Sequence, residues 1–172
     1  MKQSSTRRSI IYLCTAAAIA ALYVVLTEIA NAAGLASGVI QFRISEVLCI
    51  FALFTPAAVP GMTIGCLISN IITGCVIYDI IFGTLATLIG MIGMRLLAKL
   101  PAKFFWITPL PYFLANTIIV PFVIRYAYAA EESIPFLMLT VGVGDLVCAW
   151  IGGLILYPVI RKTPISKLLK AE

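Results

Sequence analysis

Apolar residues fill six long stretches of this chain, and short segments between them hold most of the charged residues, glycines and prolines. Each stretch approaches the roughly 20 residues that a helix needs to cross a bilayer. The pattern predicts membrane-spanning helices over residues 10–30, 39–54, 61–77, 79–97, 105–126 and 135–160. We therefore expect an all-α integral membrane protein, a six-helix bundle that forms one domain over residues 1–172.

Composition supports the membrane assignment and excludes several classes of function. The 172 residues are 62% hydrophobic and 11% charged, with a mean hydropathy of +1.11, which is too much apolar surface for a soluble domain of this length. The sequence has no Walker A motif, so the chain does not hydrolyse ATP by itself. It has no histidine and no CxxC pair, so we expect no cofactor, no metal site and no enzyme.

Charge is distributed unequally between the two predicted faces of the membrane. Ten of the twelve Lys and Arg residues fall on one face, and six of the seven Asp and Glu residues fall on or near the other. Because positive residues concentrate on the cytoplasmic side, both termini are predicted to be cytoplasmic, in a bacterial plasma membrane. The net charge of +5 is then explained by anchoring, without nucleic acid.

Several polar residues fall inside the predicted spans, where an ionisable group costs several kcal/mol unless it faces a cavity or a partner. They come from five spans and are expected to converge on the outer half of the bilayer. A pocket of carboxylates and amides suits a neutral or cationic heterocycle better than an anion. The candidates are Arg43, Glu46, Asn70, Asp79, Asn116 and Asp145.

Each candidate also has a purely structural interpretation. Arg43 and Glu46 are three residues apart on one helical face, so they could neutralise each other or clamp a ligand. Asp79 could cap a helix N-terminus or bind a ligand. Asn70 and Asn116 could bond neighbouring helices or read the edge of a heterocycle.

Small residues recur in the first predicted span at a spacing of four, which gives a smooth face for close helix packing. The two pairs are Ala16 with Ala20 and Ala17 with Ala21. This face could pack within the subunit or dock on another membrane protein.

Four blocks of sequence carry a family resemblance. They are IQFRISE at 40–46, TPAAVPG at 55–61, IGCLISN at 64–70 and DIIFGTLATL at 79–88. In this order they closely resemble the QueT-type family, and the resemblance extends over nearly the whole chain. Members of that family are substrate-binding (S) components of energy-coupling factor (ECF) transporters and are associated with queuosine precursors.

The resemblance implies a substrate, partners and site residues. The substrate would be a 7-deazaguanine such as preQ1 or queuine, captured from outside the cell. The partners would be a transmembrane coupling subunit and two cytosolic ATPases, docked through Ala16, Ala17, Ala20 and Ala21. The matching blocks contain Gln41, Arg43, Glu46, Asn70 and Asp79, whereas Asn116 and Asp145 rest on the membrane argument alone. Stacking on the ring could come from Tyr78, Phe82, Tyr112 or Trp150.

Other functions remain open at this point. The chain could be an S component for another vitamin or nucleobase. It could also be a stand-alone transporter that uses Asp79 or Asp145 as its ion site. An intramembrane enzyme is disfavoured, because the sequence offers no nucleophile and base together.

Overall fold

The computed structural model describes residues 5–35 and 42–164, together with residues 166 and 169. The described chain is a series of helices. Their bounds are α1 (Ser5–Ala32), a 3₁₀ helix (Ile44–Leu53), α2 (Ala58–Ile72), α3 (Ile77–Leu97), a short 3₁₀ helix (Ala102–Ile107), α4 (Leu110–Ala127), α5 (Ile134–Asp145), a π-helical segment (Leu146–Gly152) and α6 (Gly153–Lys162).

Four helical stretches are long and apolar enough to cross a membrane, namely Thr6–Ala32, Ile77–Leu97, Ala102–Ala127 and Ile134–Lys162. The prediction of an all-α membrane bundle is confirmed. The predicted spans 39–54 and 61–77 correspond to the shorter helices Ile44–Leu53 and Ala58–Ile72. The count of six complete spans therefore stays a prediction.

The 3₁₀ helix Ile44–Leu53 lies at the centre of the bundle and contacts α1, α2, α3, the π-helical segment and α6. Buried residues occur on every side of it, which is typical of a helix surrounded by protein. Its ten residues reach about 20 Å, against about 15 Å for an α-helix of that length. At its end, Arg95 Nη1 donates a hydrogen bond of 3.0 Å to the Ala52 carbonyl oxygen.

The first two α-helices pack closely because α2 presents glycines to α1. A Cβ on Gly65 would lie 2.7 Å from the Tyr23 Cβ and 3.1 Å from the Ala20 carbonyl oxygen, and a Cβ on Gly61 would lie 2.8 Å from the Ala16 carbonyl oxygen. Ala16 and Ala20 are accordingly buried inside the chain. This pair packs within the subunit, so it is not available for the docking expected of it.

The other predicted pair faces outward. Ala17 and Ala21 are exposed on α1, one residue further round the helix than the pair that meets α2. The same alanine-rich stretch therefore has an inner face that packs on α2 and an outer face that remains open.

A glycine turn brings the end of α2 next to the start of α3. Gly74 has a φ of +72°, which a residue without a Cβ adopts without strain. Beside it, the Cys75 N–H donates a hydrogen bond of 3.0 Å to the Asn70 carbonyl oxygen, as at other helix ends of this kind. Asn70 and Asp79, which flank this turn, are thereby placed together.

We predict that Gly65→Ala weakens the fold by about 1–3 kcal/mol, because the added methyl group meets the backbone of α1, which cannot easily move. The thermal unfolding midpoint in detergent measures the loss. Gly153→Ala is the matched control, since its Cβ would lie 3.6 Å from the nearest atom, the Ile50 Cβ, which is ordinary contact. Equal losses for both variants would contradict this account of the α1–α2 contact.

Candidate substrate-binding site

A polar cavity of about 370 Å³ opens among α1, α2, α3 and α4. Its volume lies in the range of small-molecule sites, about 300–1,000 Å³. We call it the outer cavity. It is lined by Tyr23, Thr27, Ala30, Asn31, Phe42, Arg43, Asn70, Thr73, Cys75, Asp79, Val120, Ile124 and Tyr128.

A much smaller space of about 20 Å³, here called the inner pocket, adjoins the outer cavity. It is lined by Arg43, Glu46, Asn116, Val120, Val141 and Asp145. Because Arg43 and Val120 line both spaces, the outer cavity and the inner pocket lie next to each other. The six described candidates from the sequence all line one space or the other. Gln41, the seventh candidate, lies outside the described residues.

The two spaces lie at different depths. Asn70 and Asp79 flank the α2–α3 turn, near one end of the bundle. Asn116 lies 11 residues before the end of α4, and Asp145 lies 11 residues after the start of α5. Eleven residues of α-helix measure about 17 Å. The inner pocket thus lies well inside the bundle, about 17 Å along α4 and α5 from the end where the outer cavity lies.

Asp79 has one bonded and one unbonded carboxylate oxygen. The Tyr128 hydroxyl donates a hydrogen bond of 2.9 Å to Asp79 Oδ2, while the buried Oδ1 has no partner among the described residues. The N-cap of α3 is Val76, so Asp79 is not the capping residue, but it lies in the first turn, where a negative charge interacts favourably with the helix dipole. A Cβ on Gly83 would lie 3.0 Å from Asp79 Oδ1 and 3.3 Å from Asn70 Nδ2. The glycine thus leaves room for both groups.

Tyr128 closes one side of the outer cavity. Besides donating to Asp79, its hydroxyl accepts a hydrogen bond of 3.4 Å from the Val76 N–H. Partial burial, a side-chain hydrogen bond with Cys75 and the charge of Asp79 raise the pKa of Tyr128 above its ordinary value. The hydroxyl therefore stays protonated, and able to donate, across the physiological pH range.

The inner pocket brings two carboxyl groups together. Glu46 and Asp145 are 3% and 5% exposed, and their side chains lie within hydrogen-bonding reach of each other. Asp145 Oδ2 is buried and has no partner among the described residues. Asn116 uses its Nδ2 within its own helix, donating 3.1 Å to the Tyr112 carbonyl oxygen. That bond is intrahelical, so it does not join two helices.

Arg43 connects the two spaces electrostatically. It lines both spaces and is near enough to Asp79 and to Glu46 for their charges to interact. Arg43 and Glu46 are thus part of a cluster of three acids and one base. With every group ionised, this cluster has a formal charge of −2. In a water-poor interior, such a charge favours a cationic or proton-donating ligand.

Sequence reasoning missed part of the cavity lining. The α4 side of both spaces is a stripe with a spacing of four, formed by Asn116, Val120, Ile124 and Tyr128. Starting from Asn116, a spacing of four along the helix would have predicted Tyr128 as a further lining residue. Thr27 was also missed, and it donates a hydrogen bond of 2.8 Å to Ser45 that fixes the start of the 3₁₀ helix.

The aromatic residues expected to stack on a ligand are located elsewhere. Tyr78 and Phe82 are exposed and line an apolar groove outside the bundle, and Tyr112 is buried in the core. Trp150 donates a hydrogen bond to the Trp106 carbonyl oxygen. None of these four residues lines the outer cavity or the inner pocket. The aromatic residues that line the outer cavity are Tyr23, Phe42 and Tyr128.

Apolar spanning helices around an embedded polar cavity define a multi-pass membrane protein that holds a small molecule, as transporters do. The sequence pattern described as "QueT transporter" matches residues 13–162. The chain belongs to the QueT transporter family, and it is a transport protein rather than an enzyme.

One curated relative covers the whole chain. It is the "Queuosine precursor transporter QueT" of Lactococcus lactis subsp. cremoris (strain MG1363). The two are 31% identical over 174 residues, which is 97% of this chain and 100% of the relative. No solved structure was found that matches the chain.

We predict that a water-soluble, charged methanethiosulfonate reagent modifies Cys75 quickly and Cys66 slowly. Cys75 lines the outer cavity, whereas Cys66 is fully buried in the core. Variants that retain only one of the two cysteines, followed by mass spectrometry, give the two rates. Similar rates for both thiols would contradict the placement of Cys75 at an accessible cavity and of Cys66 in the buried core.

Proposed function

We propose that this protein is the S component of an ECF-type importer for a queuosine precursor, and that the outer cavity and inner pocket together bind the substrate. The family membership and the name of the Lactococcus relative support the substrate class. The observation that carries the proposal is the convergence of all six described candidates on two adjoining spaces.

The outer cavity suits the heterocycle of a 7-deazaguanine. The 2-amino-pyrimidinone edge of that ring presents neighbouring N–H donors, and Asp79 Oδ1 is a buried acceptor without a partner among the described residues. Asn70 adds an amide to the same wall. Tyr23, Phe42 and Tyr128 offer aromatic surface for the faces of the ring.

Energy for uptake would come from partner subunits, because the sequence has no Walker A motif. The outer face of α1 is the proposed surface for the coupling subunit. Its middle carries exposed small side chains, over which a second helix can approach closely, and larger exposed residues flank them, namely Ile10, Leu13, Leu22 and Ile29. The small side chains are those of Cys14, Ala17, Ala18 and Ala21, with Val25 exposed further along.

The acidic cluster is also compatible with a second candidate function, a transporter driven by an ion gradient. In that case uptake into proteoliposomes needs only this chain and an ion gradient. Under the present proposal, uptake needs the coupling subunit and both ATPases, and it stops when ATP is withheld.

We predict that the purified chain in detergent binds preQ1 or queuine more tightly than guanine, and that Gly83→Ala weakens this binding roughly tenfold. The new methyl group would push Asp79 Oδ1 and Asn70 Nδ2, which are side-chain ends, so binding suffers while the fold holds. Isothermal titration calorimetry gives the affinities.

Gly142→Ala is the matched control, because its Cβ would meet only ordinary contacts of 3.4–3.6 Å with Thr117 and Phe113. A Gly83→Ala variant that binds as tightly as the unmodified chain would exclude Asp79 and Asn70 from the site. A folded chain that binds no 7-deazaguanine would move the substrate to another vitamin or nucleobase.

We also predict that Ala17→Leu combined with Ala21→Leu abolishes co-purification with the coupling subunit and uptake, while substrate affinity stays unchanged. The larger side chains prevent close approach on the outer face of α1 and lie away from the outer cavity. Ala32→Leu, at the exposed outer end of the same helix, serves as the control. Undiminished assembly of the double variant would remove this face from the proposal.

A further inference from the structure

We infer that the inner pocket is the subsite for a primary ammonium group of the transported molecule, whose hydrogen bonds are accepted by Glu46 and Asp145. This inference rests on the proposed function and sharpens it. It selects 7-deazaguanines with an unsubstituted aminomethyl group from among the possible precursors.

The size of the inner pocket limits what it can hold. Its volume of about 20 Å³ exceeds the roughly 10–15 Å³ that one water molecule requires, but leaves no space for a ring. The heterocycle must therefore remain in the outer cavity. Arg43 and Val120 line both spaces, so under this inference a short substituent on a ring in the outer cavity enters the inner pocket beside these two residues.

The chemistry of the lining determines the kind of group. Two deprotonated carboxylates have no proton to share, so the close approach of Glu46 and Asp145 is repulsive unless a proton or a cation lies between them. Asp145 is 5% exposed, and its Oδ2 has no partner among the described residues. This oxygen is therefore able to accept a hydrogen bond from a ligand. An ammonium group supplies both positive charge and N–H donors.

Further contacts allow a third hydrogen bond. Asn116 commits its Nδ2 to the Tyr112 carbonyl oxygen, so its amide oxygen is the part left to accept from a ligand. A primary ammonium has three N–H donors, matching Glu46, Asp145 and Asn116. A substituted amine would bring its substituent into a space that has no volume for it, which disfavours queuine relative to preQ1.

A neutral isostere separates charge recognition from recognition of the ring. We would measure binding of 7-aminomethyl-7-deazaguanine, 7-cyano-7-deazaguanine and queuine to the purified full chain by calorimetry. The unmodified chain should bind the amine about tenfold or more tightly than the nitrile or queuine. Asp145→Asn should weaken amine binding by about 10- to 100-fold and leave nitrile binding unchanged.

The substitutions are chosen so that the fold survives. Asparagine has the shape of aspartate, and its amide can donate to Glu46, so Asp145→Asn removes the charge without leaving a gap. Glu46→Gln should have the same selective effect. Glu132→Gln, the same chemical change on an exposed loop residue, is the control and should affect neither ligand. Gly83→Ala, which disturbs the outer cavity, should weaken amine and nitrile together.

Each outcome decides something. Equal affinity of the unmodified chain for amine and nitrile overturns the inference, whether or not any variant folds. Equal losses for both ligands in Asp145→Asn overturn it as well, because the residue then supports the ring or the fold instead of the amine. Failure of the unmodified chain to bind any of the three compounds refutes the proposed function itself.

Discussion

Charged groups in the middle of a membrane protein need partners, and this requirement organises the present structure. Arg43 immediately precedes the central 3₁₀ helix, and the helix carries Glu46 into the bundle interior, where water is scarce and an isolated charge is costly. Asp79, at the start of α3, and Asp145, at the end of α5, lie close enough to this pair for their charges to interact with it. The cluster retains an excess of acid, which a cationic ligand would offset.

Placing a helix at the centre of a bundle depends on small residues around it. The π-helical segment and α6 allow the approach, since a Cβ on Gly152 would lie 3.1 Å from Val47 Cγ2. Cys49 Sγ contacts the Ala149 carbonyl oxygen at 3.6 Å on the same side. The opposite side is fixed by the Thr27–Ser45 hydrogen bond. Tight packing on both sides sets the position of Glu46, and with it the depth of the inner pocket.

The two faces of α1 show how one helix can serve packing and assembly at once. Its inner face needs Ala16 and Ala20 for contact with the α2 glycines, and its outer face presents Ala17 and Ala21 to the surroundings. A helix built in this way can expose a smooth outer surface without loosening its contact with α2. Residues further along α1, Tyr23 and Thr27 among them, line the outer cavity.

The sequence determined the class of the protein, because hydrophobic stretches of spanning length admit few folds other than a membrane helix bundle. It also identified Arg43, Glu46 and Asp79, since an ionisable residue in an apolar stretch is conspicuous. Tertiary structure alone decided which of them meet. Contact between Glu46 and Asp145 depends on a 3₁₀ helix at the bundle centre and on the antiparallel α4–α5 pair. The lining role of Tyr128 and the inward burial of Ala16 depend on how helices rotate against each other. Local sequence does not encode these rotations, because they follow from packing between residues far apart in the chain.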